Sequence, residues 1–100
     1  MADLCLTLLC PSTVDEDLLD ALLMLSCVTI FTSAPTSAHG LQSARLSETE
    51  QVMGRAFSTQ IQVVFAIDDK EAVFAAIRDG FAGAGLRYWL TPVIEAGEFK

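Results

Sequence analysis

The most versatile side chain for chemistry in this sequence is its single histidine, His39. It lies in a stretch of small polar residues, 34–40, whose composition predicts a loop. One imidazole alone makes neither a metal site nor a catalytic triad. Glu48, Glu50 and Met53 follow on the same predicted loop and could complete a metal site. The alternative is an exposed histidine that binds nothing.

A second candidate is the segment Gly83-Ala84-Gly85, followed by Arg87. Backbone N–H groups of such a turn could bind an anion, with the guanidinium beside them. Glycines after a helix more often end the helix and form a turn, and that alternative stays open. No Gly-x-Ser-x-Gly motif and no Ser/His/Asp arrangement can be built around one histidine, so we expect no enzyme.

The three cysteines are an odd number, and none forms a Cys-x-x-Cys pair. Cys5 and Cys10 lie five residues apart on one predicted strand, so their side chains point to opposite faces and cannot share a small metal site. Cys27 is predicted to begin another strand. We expect all three to be reduced and buried as small apolar side chains.

Composition limits the classes of function. Among 100 residues, 52% are hydrophobic and 19% are charged, which indicates one folded domain spanning 1–100 and excludes intrinsic disorder. The net charge of −7 argues against binding to nucleic acid. No basic residue precedes Arg45, and the longest nearly apolar stretch, 21–31, is about half a bilayer span. We therefore predict a cytoplasmic protein without membrane insertion.

Hydrophobic periodicity predicts the order β-α-β-β-α-β. The predicted strands are residues 3–10, 27–33, 60–67 and 86–94, and Pro92 predicts that the last strand lies at an edge or contains a bulge. Ser12 or Thr13 is the predicted cap of the first helix and Asp68 that of the second. Residues 34–54 form a long predicted loop, with one helical turn at 48–53.

This order is that of a ferredoxin-like sandwich, an α+β fold with a four-stranded antiparallel sheet and two helices on one face. The first and third strands should be central. Leu4, Leu6 and Leu8 would then face the helices together with Ile61, Val63, Phe65 and Ile67. Four residues on the other face are largely apolar: Cys5, Leu9, Val64 and Ala66. We expect an oligomer to cover that second face. One of Tyr88 and Trp89 is predicted to be in the core and the other at an interface.

The chain resembles the PII-like superfamily, and within it an uncharacterised bacterial branch. The resemblance rests on the element order, the long loop between the second and third strands, and three motifs. These are Ser-Ala-His-Gly at 37–40, Glu-Gln-Val-Met-Gly-Arg at 50–55, and Gly-Ala-Gly-Leu-Arg-Tyr-Trp-Leu-Thr-Pro-Val at 83–93.

The resemblance implies a homotrimeric regulatory or sensor protein that binds small effectors in the clefts between subunits. The implied ligand-binding residues are His39, Arg55, Gly83, Gly85 and Arg87. Phe81 and Leu86 stand where nucleotide-binding relatives carry lysines, which argues against ATP or ADP as the effector. The identity of any cofactor or effector stays open.

The resemblance also implies that the loop at 34–54 contacts a partner, such as a membrane transporter or a regulatory protein. Two alternatives remain at this stage. One is a metal-binding protein linked to heavy-metal tolerance or efflux, with His39, Glu48, Glu50 and Met53 as ligands. The other is an interaction module that binds no small molecule.

Overall fold

The computed structural model describes residues 3–40 and 56–100. The strands are β1 (Asp3–Pro11), β2 (Val28–Ala38), β3 (Ala56–Ala66) and β4 (Arg87–Val93). The helices are α1 (Asp15–Leu23) and α2 (Lys70–Phe81), and a short 3-10 turn, Ile67–Asp69, precedes α2. The predicted β-α-β-β-α-β order is confirmed.

The four strands form one antiparallel sheet in the order β2-β3-β1-β4. Strands β1 and β3 are central, as predicted, and Leu6 lies opposite Val63 on one side and Leu90 on the other. Strand β4 is an edge strand, which explains how it accommodates Pro92, a residue without a backbone N–H.

The core lies between the sheet and both helices. Alternate residues of β1 and β3 point into it, and α1 and α2 contribute one apolar stripe each. Full burial of a large apolar side chain contributes about 1.5–3 kcal/mol, so this cluster dominates the stability of the fold. Its fully buried members are Leu6, Leu8, Cys10, Leu18, Leu22, Ile61, Val63, Phe65 and Val73. The α+β sandwich with both helices on one face is therefore as predicted.

The β2–β3 hairpin is longer than the sequence predicts. Strand β2 continues to Ala38, so residues 34–38 are strand where a loop was predicted, and β3 begins at Ala56 rather than at Gln60. Pairing explains the difference, since Pro35 lies opposite Thr59 and Ser37 opposite Phe57 in the ladder. Pro35 is tolerated because β2 is the other edge strand. The rest of the predicted loop, with its helical turn at 48–53, lies outside the described residues beyond Gly40.

The predicted helix caps are wrong. Within the described residues, neither helix has a side-chain hydrogen bond at its N-cap, which is Val14 in α1 and Asp69 in α2. A backbone turn leads into α1 instead, where the Val14 N–H donates to the Pro11 carbonyl at 3.1 Å. Asp68 lies within the 3-10 turn that precedes α2, so it is not the N-cap of that helix. Acidic side chains still occupy the first turn of α1, where the helix dipole favours them.

Two further strand predictions fail at their ends. Cys27 lies in the turn before β2, because the chain is still closing the loop after α1 through the hydrogen bond from Val28 N–H to the Leu25 carbonyl. Ile67 begins the 3-10 turn and is 48% exposed, so it does not join the core. In the described ranges, no helix is long and apolar enough to cross a membrane.

Candidate functional site

Two of the candidate segments meet at one end of the sheet. Antiparallel pairing places the end of β1 beside the start of β3, with Pro11 opposite Ser58. The start of β4 lies there too, because Arg87 is opposite Leu9, and so does the end of β2. His39, which follows β2, and the glycine turn, which precedes β4, therefore share this end of the sheet.

Within one chain, however, these segments lie at opposite edges of the sheet. His39 follows edge strand β2, whereas Gly83, Gly85 and Arg87 adjoin edge strand β4. Three strand spacings separate the two edges, which amounts to about 14 Å. The structure thus does not bring His39 together with Arg87 in a single chain.

The glycine turn has a defined backbone. Gly83 and Gly85 have φ values of 82° and 84°, in the left-handed region where glycine is favoured. The turn ends α2, because Ala82 N–H donates to the Arg78 carbonyl at 3.2 Å and Ala84 N–H to that of Phe81 at 3.1 Å. In residues 3–40 and 56–100, no acceptor is bonded to the N–H of Gly83 or Gly85. The turn therefore acts as a helix end and still offers two donors.

Arg87 and Tyr88 point to opposite faces of the sheet. Arg87 lies opposite Leu9 on the face without helices, and its side chain is exposed. Tyr88 lies opposite Leu8 on the helix face, where its ring meets that of Phe74 edge-on, with centroids 5.3 Å apart. Neither Tyr88 nor Trp89 is buried, since they are 58% and 45% exposed, so the prediction that one of them joins the core is wrong.

The helix-free face of the sheet is mixed in character. The four residues predicted there, Cys5, Leu9, Val64 and Ala66, are all half-buried. Ile30 and Trp89 add exposed apolar surface, and Thr7 is 2% exposed because it lies opposite Trp89 and Gln62 in the ladder. The face thus combines apolar surface with polar Gln60 and Gln62. Whether a second copy covers it stays a prediction.

The candidate metal site is largely untested. His39 is exposed, whereas Glu48, Glu50 and Met53 lie outside the described residues, as does Arg55. Across the part of the chain that the structure describes, no three His, Cys, Asp or Glu side chains cluster as metal ligands would. His39 therefore has no described partner for a metal.

The cysteines follow the sequence prediction in part. Cys10 is fully buried in the core, and Cys5 is half-buried on the opposite face, as expected from their spacing. Cys27 is also only half-buried. Burial, and to a smaller extent the charge of Asp15, raises the pKa of the Cys10 thiol to about 11. A thiol that stays protonated is a poor nucleophile, so Cys10 is a core residue.

Sequence reasoning missed a cleft on the helix face. It lies between the C-terminal half of α2 and strands β1 and β4, and it has a volume of about 430 Å³. Phe74, Ile77, Arg78 and Phe81 line its α2 side. The spacing of the apolar residues 74, 77 and 81 is visible in the sequence, but it indicates only the buried face of a helix. The glycine turn forms one end of this cleft, with Gly83 and Gly85 in its lining.

Comparison with known proteins identifies the family of this chain and structures with the same fold. The sequence profile of a family described as a protein of unknown function, DUF3240, matches residues 1–100. No curated protein matches the sequence. The crystal structure of a DUF3240 family protein from Shewanella baltica superposes with a TM-score of 0.82 at 15% identity. The match covers 100% of this chain and 99% of that one.

Two PII-type structures share the same architecture. The GlnK–ATP complex of B. subtilis superposes with a TM-score of 0.67 at 14% identity, over 92% of this chain and 82% of that one. A Thermus thermophilus protein described as PII-like superposes with a TM-score of 0.65 at 10% identity, over 93% and 88%. The family match and these folds confirm the resemblance seen in the sequence. The chain belongs to the DUF3240 family, whose function is unknown, and it shares its fold with these two structures.

Proposed function

We propose that this protein is a non-enzymatic PII-like regulator, a homotrimer that binds a small effector between neighbouring subunits. The observation that carries the proposal is the position of His39 and the glycine turn at one end of the sheet but at opposite edges. If the helix-free faces of identical subunits pack around one symmetry axis, the β2 edge of one copy would lie beside the β4 edge of the next. Such a contact brings the two halves of the site together.

Exposed apolar surface supports the assembly. Ile30 and Trp89 are 59% and 45% exposed on the helix-free face, beside half-buried Val64 and Leu9. A monomer gains nothing by leaving such a surface in water, whereas burial contributes about 25 cal/mol per Å². The oligomer would cover this face and form the effector site at its seams.

The chemistry of the site favours a small anion of low charge. The N–H donors of Gly83 and Gly85 and the guanidinium of Arg87 suit a carboxylate or bicarbonate. Arg55 and His39 would complete the site from the loop of the neighbouring copy. Phe81 and Leu86 supply no cation beside the turn, and the net charge of −7 opposes a polyphosphate. ATP and ADP are therefore poor candidates.

Residues 34–54, which include the end of β2, would carry the output of the sensor. We propose that residues 34–54 contact a partner protein, a membrane transporter or a regulator, and that the effector bound at the base of the loop changes this contact. His39 connects the two roles because it directly follows edge strand β2.

The deciding experiment is complementation between subunits. His39→Ala and Arg87→Ala are each expressed alone and then together, and the purified proteins are titrated calorimetrically with bicarbonate, nucleotides and divalent metals. Each variant alone should lose effector binding. Random mixing in a trimer leaves both native halves at about a quarter of the interfaces, so the co-expressed protein should recover about that fraction of sites.

Sedimentation of the unmixed protein supplies the control for assembly. We expect three times the chain mass of 10.8 kDa. A monomer at micromolar concentration would contradict the proposal, as would a mixture that binds no better than the single variants. Binding of zinc or copper that is lost in His39→Ala, without any response to anions, would instead support the metal-binding alternative.

A further inference from the structure

The cleft on the helix face has a floor that is part of the core. Leu6 and Leu8 of β1 form this floor and are 1% and 2% exposed. The walls come from α2 on one side and from Leu86 and Tyr88 on the other, and the glycine turn closes one end. A volume of about 430 Å³ lies within the range of clefts that hold small molecules.

Aromatic contacts hold one wall of the cleft in place. The Phe74 and Tyr88 rings meet at 88°, with centroids 5.3 Å apart, and this edge-to-face arrangement ties α2 to β4. Lys70 Nζ lies 5.5 Å from the centroid of the Phe74 ring, a cation–π distance. The Phe74 ring is thus contacted on two sides, by Tyr88 and by Lys70.

The charge of the cleft is opposite to that of the chain. Among the described residues, Arg78 is the only charged one in its lining, while the chain as a whole carries a net charge of −7. No carboxylate in the described ranges pairs with the Arg78 guanidinium. Gly83 and Gly85 line the same end, and their N–H groups have no acceptor among the described residues. An apolar cavity with donors at one end matches a ligand with an apolar body and an anionic head.

We propose that this cleft binds a small apolar carboxylate. The apolar body would lie on Leu6 and Leu8 between the Phe81 and Tyr88 rings, and the carboxylate would accept hydrogen bonds from Arg78 and the glycine turn. This goes beyond the proposed effector site, because it needs one chain only and lies on the other side of the sheet from Arg87. Both sites use the N–H donors of the turn, so an occupant of the cleft would compete with the effector for them.

Other occupants fit the cleft less well. A polyphosphate would have to leave water for a surface of leucine and phenylalanine with a single cation nearby, which costs more than one Arg78 contact returns. The C-terminal segment of this chain carries Phe99, which is fully exposed, but β4 leads away from the cleft toward Val93 opposite Asp3. Occupation by that segment is an outcome of the test.

The test is a titration of the ¹⁵N-labelled 100-residue chain with 4-phenylbutyrate, followed by amide chemical shifts. The matched probe is 4-phenylbutanamide, which has the same body without the charge. We expect saturable shifts at Leu86, Tyr88 and the glycine turn with the carboxylate, and at least about tenfold weaker binding of the amide.

Arg78→Gln removes the charge from an exposed helix position and should keep the fold. It should weaken binding of the carboxylate about tenfold or more and leave the affinity for the amide unchanged. Lys100→Gln removes one positive charge from a residue outside the lining of the cleft and is the matched control. His39→Ala and Arg87→Ala should retain phenylbutyrate binding even if they abolish effector binding, which separates this proposal from the previous one.

Three outcomes would overturn the proposal. One is equal affinity for the carboxylate and the amide, and another is an equal effect of Arg78→Gln and Lys100→Gln. The third is that Phe99→Ala shifts the cleft amides without any ligand and that the probe binds only to this variant, which would assign the cleft to the C-terminal segment.

Discussion

Thr59 Oγ1 donates a 2.7 Å hydrogen bond to Asp15 Oδ2, which joins β3 to the first residue of α1. Thr59 also lies opposite Cys10 in the ladder, so the three residues meet where β1 ends and the chain turns into the helix. A carboxylate that holds a strand in this way fixes the start of α1 without a side-chain cap.

Replacing Thr59 by valine should therefore destabilise the protein. The change keeps the side-chain shape but leaves a half-buried carboxylate without its donor, which we expect to cost about 1.5–3 kcal/mol. Urea denaturation measures the loss. Thr32→Val on exposed edge strand β2 is the matched control and should change the unfolding free energy by less than about 0.5 kcal/mol. Equal effects at both positions would show that the Thr59 bond contributes nothing.

The position of Cys10 beside Asp15 predicts that the stability of the protein depends on pH in the alkaline range. Burial and the Asp15 charge raise the pKa of Cys10 from 9.0 to about 11. Because the unfolded chain releases this proton more easily, the contribution of Cys10 is complete below pH 9 and is lost as the pH rises toward 11. Urea midpoints across this range should fall more steeply for the native protein than for Cys10→Ala. Parallel curves for the two proteins would refute the shift.

Asp15→Asn separates the two causes of that shift. It removes the charge but leaves Cys10 buried, so the pKa of the thiol should fall part of the way toward its ordinary value. Thiolate absorbance in the ultraviolet, recorded against pH, measures the change. A full return to the ordinary value would mean that burial contributes little.

Much of the fold was predictable because it depends on periodicity. Leu6 and Leu8 alternate with Thr7, and Leu18 and Leu22 are one helical turn apart. The apolar face of each element can therefore be predicted from the spacing of nearby residues. The strand at 34–38 was not predictable, since alanine, proline, serine and threonine become strand only through pairing with β3. The caps failed for a related reason. Ser12 or Thr13 could cap α1 by residue type, but the chain enters α1 through the bond from Val14 N–H to the Pro11 carbonyl, which depends on where β1 ends.

The candidate site was likewise predictable only in part from the sequence. The glycine turn and Arg87 are candidates because of their residue types. In the structure they lie before and at the start of edge strand β4. The separation of His39 from Arg87 depends on the order of the strands in the sheet, which is a tertiary property. The cleft was missed because Arg78 and Phe81 show only a helical stripe. Whether that stripe leaves space depends on how α2 sits on β4.

Adjacent leucines at the end of α1 test the register of the helix. Leu22 is 1% exposed and lies one turn from Leu18, whereas Leu23 is 70% exposed. Leu22→Ala should cost about 2–5 kcal/mol because it leaves a cavity in the core. Leu23→Ala should cost less than about 0.5 kcal/mol, which makes it the control by chemical denaturation. A reversed order would mean that α1 is rotated on the sheet.

Gly80 inside α2 and Gly83 in the turn that follows it should respond to alanine with opposite signs. Gly83 has a φ of 82°, and no atom of the described residues lies within 4 Å of the position that a Cβ would take, so only its backbone opposes a side chain. Gly83→Ala should therefore cost about 1–2 kcal/mol. Gly80 has equally open surroundings, and Gly80→Ala should stabilise the protein by about 0.5–1 kcal/mol.

Denaturation of the two variants beside the native protein checks both signs in one experiment. If Gly83→Ala is neutral, the turn is not held in its left-handed conformation, and its N–H groups are not fixed toward either proposed ligand. Gly83→Ala is expected to destabilise the protein. If it also lowers the phenylbutyrate affinity of the folded protein, the left-handed conformation of the turn is what positions its N–H donors. Gly80→Ala should leave that affinity unchanged, because Gly80 lies outside the lining of the cleft.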